Sequence, residues 1–166
     1  MRALMVSPVA TVPAVEVDQR VEVRLRRQER LAGADRVQLT VVIGEAALTQ
    51  QIGGPGVLYR QLCYLAEAIR THPDNVDLRV IPFVSTGTIL AGSTFHLLDF
   101  ESPRLPTLAW HESAVFGELY VDDVDKKETR VRDLRFLYER ARSLALGRDE
   151  SLDLIESSAA RLKSLL

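Results

Sequence analysis

Three short runs near the middle of the chain, Thr-Phe-His-Leu-Leu-Asp-Phe (94–100), Leu-Ala-Trp-His-Glu-Ser (108–113) and Glu-Leu-Tyr-Val (118–121), decide how the fold is read. Each is rich in aromatic and aliphatic side chains suited to a pleated surface, and only a few residues separate one from the next. A parallel crossover needs a dozen residues or more, so this spacing predicts an antiparallel meander.

Upstream, the stretch from Val76 to Phe83 alternates with Val76, Leu78 and Val80 on one face, and Pro82 predicts that it ends there or lies at an edge. Residues 37–43, Val-Gln-Leu-Thr-Val-Val-Ile, predict another strand with Val37, Leu39, Val41 and Ile43 inward. Between the two, Gly53 and Gly54 precede Pro55, a residue suited to a helix's first turn, and Val57, Leu58, Leu62, Leu65, Ala66 and Ile69 then recur at helical spacing as far as His72. A first helix is predicted from about Val15 to Leu31, acidic near its start, rich in arginine near its end and stopped by Gly33. Arg20, Arg24 and Arg27 share one of its faces and read as a solvated stripe supported by Glu16 and Glu22. Downstream, a long helix is predicted from about Asp125 to Leu146, with Val131, Leu134, Leu137 and Ala141 on its apolar side. Gly147 stops it, and a terminal helix lined by Leu152, Ile155, Ala159, Leu162 and Leu166 follows. The expectation is an α+β fold in which about four helices pack on a mainly antiparallel sheet of about five strands.

A length of 166 residues with 46% apolar content suits one domain spanning 1–166. The formal charge of -2 gives no general attraction to phosphate backbones, which disfavours direct nucleic-acid binding by this chain. No apolar run approaches the roughly 20 residues that cross a bilayer, so a cytoplasmic protein is expected. The one cysteine, Cys63, excludes an intrachain disulfide and reads as a small core residue.

Catalytic motifs fail on their spacing. His111-Glu112 begins like a zinc-protease signature, but Val115 stands where the second histidine belongs. His72, His96 and His111 are not spaced to share a helical face, so no metal site is expected. The Gly53-Gly54-Pro55-Gly56 turn has no lysine to complete a phosphate loop, and Tyr59 replaces the third glycine of a dinucleotide fingerprint. No cofactor is implied. Two carboxylates remain: Glu45 at the end of the first strand and Glu112 beside Leu108, Ala109 and Trp110. Next to apolar neighbours a carboxylate must find a partner, reach water or carry a raised pKa. Strand alternation puts Trp110 and Glu112 on one face and His111 on the other.

These residues define a candidate ligand-binding edge of Glu45, Trp110 and Glu112. In an enzyme, Glu45 and Glu112 would be the candidate catalytic groups, acting as general acid or base on a bound metabolite without metal or nucleotide. A third reading is an interaction module dimerising through the apolar faces of its last two helices.

Val-Glu-Val-Arg-Leu-Arg-Arg-Gln-Glu-Arg-Leu (21–31), Gly-Glu-Ala-Ala-Leu (44–48), Gly-Gly-Pro-Gly-Val-Leu-Tyr-Arg-Gln-Leu (53–62), Arg-Val-Ile-Pro-Phe (79–83), the 94–100 run and Ala-Trp-His-Glu (109–112) come in one order. Together they resemble the uncharacterised C-terminal domain of actinobacterial helix-turn-helix regulators, the Scr-type antitoxin-like group related to the XRE regulators. The likeness runs from about Arg2 to Ile155. It matches at Arg27-Gln28, Glu45, Leu48, Gly54, Gln61-Leu62, Pro82, Phe95, Glu112, Leu144 and Ser151. It implies a regulator's sensing or interaction domain without its helix-turn-helix and with its first helix cut to Arg2–Met5. It also implies a role in transcriptional regulation with a small partner protein, as in antitoxin-like pairs, and brings no known ligand; a small molecule as the partner and a homodimer are expected only from the candidate edge and the terminal helices above.

Overall fold

The structure is a computed structural model describing residues 14–85, 94–112, 117–122 and 130–166. Along them the order is α1 (Ala14–Glu29), β1 (Leu39–Gly44), a 3-10 turn (Glu45–Leu48), α2 (Pro55–Thr71), β2 (Val76–Ile81), β3 (Thr94–Leu98), β4 (Leu108–Glu112), β5 (Gly117–Val121), α3 (Arg130–Leu144) and α4 (Arg148–Lys163). The expected tail helix at Arg2–Met5, the side chains of Glu16 and Arg20 and the beginning of the helix predicted from Asp125 lie outside what is described. The chain divides into two compact units, Met1–Phe83 with Leu146–Leu166 and Val84–Ala145.

In the first unit β1 and β2 run parallel, in register from Leu39 opposite Val76 to Gly44 opposite Ile81. The 3-10 turn and α2 supply the long crossover that a parallel pair requires. Paired residues in this ladder share a face. Val41 and Ile43 therefore join Leu78 and Val80 against Leu58, Leu62, Ala66 and Ile69 of α2 and Ile155, Ala159 and Leu162 of α4. Leu62 is 1% exposed and Ile155 0%, each burial stabilising by about 1.5–3 kcal/mol. Gly53 and Gly54 both adopt positive φ (83° and 92°) before Pro55, a conformation that L side chains resist.

Buried polar groups fasten this unit. Asn75 is 5% exposed, and its Nδ2 donates to the carbonyls of Leu31 and Val37, both at 3.0 Å, tying the segment after α1 to the start of β2. Ser151, fully buried, accepts the Val80 amide on its Oγ at 3.0 Å, while Leu146 N donates to Val80 O at 2.9 Å. Arg148 reaches back to the carbonyls of Ile69 (2.6 Å) and Val76 (3.3 Å). The beginning of α4 thus occupies the edge of β2 that faces away from β1.

In the second unit β3, β4 and β5 form an antiparallel meander, as the short connections predict. α3 packs across all three strands. Ala109 is fully buried, and Phe95, Leu97, His111 and Tyr120 on the same sheet face are half-buried, which identifies the face that Val131 and Ala141 of α3 cover.

The α+β class holds among the described residues, but the single mainly antiparallel sheet of about five strands does not. There are two sheets, one of two parallel strands and one of three antiparallel strands. The rule about short connections applies only from β3 onward, whereas β1 and β2 are joined by a helix and make a right-sized β-α-β unit. Cys63 is a second correction. It is exposed, because it lies beside Leu62 on the turn of α2 that faces away from the core. The terminal helix spends its inner face, Ile155, Ala159 and Leu162, inside its own unit, and Leu166 is left 66% exposed.

Candidate functional site

Strand pleating gives the three-stranded sheet a second face opposite α3. Across it lie the rows Thr94–Glu112–Gly117, His96–Trp110–Leu119 and Leu98–Leu108–Val121. This face is apolar and open: Trp110 is 37% exposed, Leu98 45%, Val121 53% and Leu119 57%. Singly exposed apolar residues are ordinary, but a contiguous set on one sheet face marks a surface made for contact.

Trp110 is held in place by what is missing beside it. A Cβ added at Gly117 would stand 1.9 Å from the indole ring, so the ring lies directly over the glycine's backbone. An aromatic ring covering a glycine on a neighbouring strand shields backbone that has no side chain of its own. Glu112 is exposed at the end of the same face, in register with Thr94 and Gly117.

A polar clamp fixes the loop that leads into β4. Asp99 Oδ1 accepts hydrogen bonds from Arg135 Nη2 at 2.5 Å and from Thr107 Oγ1 at 2.7 Å. The Arg135 guanidinium, with the Thr107 hydroxyl, holds the Asp99 carboxyl below its ordinary pKa. On the α3 side, the Tyr120 hydroxyl donates to the Glu118 carboxylate, which favours the protonated phenol and raises its pKa.

The sequence-predicted trio is only partly brought together. Trp110 and Glu112 share the open face with His111 on the other, as alternation requires. Glu45 belongs to the first unit, where its Oε2 accepts the Phe83 amide at 2.8 Å and clasps the end of the segment after β2. Its carboxylate is engaged in holding backbone. Glu45 lines neither of two shallow cavities in the first unit, one along Gln38–Thr40, Pro73–Asp77 and Arg148 and one between Leu48–Gln51 and α4. Among the described residues no three His, Cys, Asp or Glu side chains converge as metal ligands would. His72 ends α2, with its carbonyl accepting the amides of Asn75 and Val76, and His96 is exposed opposite Trp110.

Sequence reasoning missed Leu98, Leu119, Val121 and Gly117 as partners of Trp110. The signal was present: Leu119 and Val121 stand two apart, as same-face residues of a strand do. What it lacked was the register that sets Leu119 beside Trp110. No helix among the described residues is long and apolar enough to cross a membrane.

No curated protein and no solved structure matches the chain. A match over residues 1–157 shows that the chain belongs to the family described as a domain of unknown function (DUF5753).

Proposed function

We infer that this chain is a non-catalytic binding domain of transcriptional-regulator origin, acting in the cytoplasm, and that its working surface is the face of the β3–β4–β5 sheet opposite α3. The observation that carries this reading is the row Trp110–Leu119 with Leu98 and Val121 beside it, apolar side chains left between 37% and 57% exposed on one continuous face. A small molecule is best retained by an enclosing cavity, whereas an open face with an aromatic at its centre suits a protein surface. The partner that fits is a small protein, as the resemblance to antitoxin-like regulators implies, with Glu112 at the rim of the contact. Acid-base catalysis gains no support from the geometry, since Glu45 is engaged with the Phe83 amide and Glu112 stands in the open.

Trp110 is the sole tryptophan, so its emission reports on this face without interference. The test is native mass spectrometry of the chain purified together with whatever small protein it retains, followed by fluorescence of the complex. A one-to-one complex with blue-shifted Trp110 emission, lost in Leu119→Asp, is the expected result. A retained metabolite together with unchanged emission would overturn the reading.

A further inference from the structure

We propose that the groove between the Leu48–Gln51 segment and the last turns of α4 binds a small free carboxylic acid with a short apolar tail. The groove lies in the first unit and is independent of the sheet-face reading. Its floor is Leu48, 1% exposed, and Leu162, 7% exposed, and one wall is Leu165, which stands 70% in water. Thr49, Gln51, Ser158 and Arg161 supply the polar lining of a space of about 130 Å³.

Arg161 gives the groove its chemistry. Arg26, Arg70, Arg79 and Arg135 each pair with an aspartate or glutamate. Arg161 belongs with the arginines that have no carboxylate partner among the described residues, and it is the one that lines this groove, where its Nη2 donates to Ser158 Oγ at 3.1 Å. Ser158 is 4% exposed, so the hydroxyl that holds the guanidinium is itself fixed in the groove wall. No acidic side chain lines the space, which leaves one oriented cation above an apolar floor. The planar fork of a guanidinium matches a carboxylate with two parallel hydrogen bonds, and the leucines match a hydrocarbon tail. The volume sets the size of the ligand. Sites for larger metabolites run to roughly 300–1,000 Å³, so this one takes a tail of only a few carbons.

The test is an amide-resolved NMR titration of the full chain with isocaproate and, separately, with isohexanol, which shares its tail and lacks its charge. Isocaproate is expected to bind about tenfold more tightly than the alcohol, as a hydrogen bond to a charged group warrants. Shifts should fall on residues 48–51 and 158–165. Arg161→Gln, a change at an exposed position, should erase that preference while leaving the circular dichroism spectrum unchanged. Equal binding of acid and alcohol, an absence of shifts with both, or shifts confined elsewhere would each overturn the assignment. A leucine-terminated tetrapeptide binding more than tenfold tighter than isocaproate would also overturn it, because the site would then belong to a peptide end.

Discussion

The first unit is built around a core of large aliphatic side chains, whereas the buried apolar residues described in the second are small. In the first, Leu48, Leu62, Ile69, Val80 and Ile155 are at most 1% exposed, and buried Asn75 and Ser151 tie the segments around them. In the second, the buried apolar residues described are the small Ala109, Val131 and Ala141, while Leu98, Trp110, Leu119, Val121 and Phe136 stand partly or mostly in water. One helix can cover one face of a three-stranded sheet, and the apolar residues of the other face stand exposed. The difference teaches a division of labour: the parallel pair with its helices supplies the stable framework, and the antiparallel meander presents a surface.

If that division is right, the largest response to mutation comes from the first unit. Leu62→Ala should lower stability by about 2–5 kcal/mol, since it removes a buried side chain and leaves a cavity. Leu119→Ala, on the open face, should change stability by about 0.5 kcal/mol or less. Urea unfolding followed by circular dichroism compares them directly, and similar losses from the two leucines would break the comparison. Ser151→Ala tests the polar fastening of the same unit. It leaves the Val80 amide without its side-chain acceptor and should lose about 1–3 kcal/mol in the same assay.

A smaller effect belongs to the sheet. Gly117→Ala forces the indole of Trp110 off the backbone it covers, because the new Cβ would sit well inside van der Waals contact with the ring. The expected outcome is a red shift of Trp110 emission and stronger acrylamide quenching, with stability lowered by about 1 kcal/mol from the displaced ring. Unchanged emission would mean that the ring does not rest on Gly117.

Local rules carried much of this fold. Helix positions from Pro55 to Thr71 follow from a proline at the first turn and a 3.6-residue apolar period, and the two glycines before it are now explained by their positive φ. The meander followed from its short connections. What was not legible was pairing at a distance. Val41 and Leu78 are 37 positions apart, and alternation within each strand says nothing about which strand lies beside it or in which direction. Cys63 was misjudged because composition places cysteines inside, while the helical phase set by Leu58, Leu62, Ala66 and Ile69 points it outward. For the candidate site, alternation placed Trp110 and Glu112 together, yet Glu45 proved to be a backbone clasp. Several residues that carried the family resemblance hold the first unit's framework: Gln28 accepts from Tyr64, Glu45 holds Phe83, Leu48 and Leu62 fill the core and Ser151 holds Val80. Glu112, by contrast, stands at the rim of the open face.

The least of the expected effects concerns how the second unit is fastened. Where the first relies on buried Asn75 and Ser151, the loop before β4 depends on Asp99, whose side chain is 60% exposed, held by Arg135 and Thr107. Because the folded protein depresses the Asp99 pKa from its ordinary 3.8, the clamp stabilises the fold fully above that value and is lost as pH falls through the lower folded one. Solvent screening keeps such a pair to about 0.5 kcal/mol or less. Asp99→Asn should therefore cost a few tenths of a kcal/mol near neutral pH, at most, and nothing once the carboxyl is protonated in both states. Trp110 fluorescence during urea unfolding at neutral pH and again at a pH below the depressed folded value measures the convergence. A loss of several kcal/mol at neutral pH would show that the clamp is as deeply embedded as the serine and asparagine of the first unit, and the contrast between a fastened framework and a lightly held surface would fail.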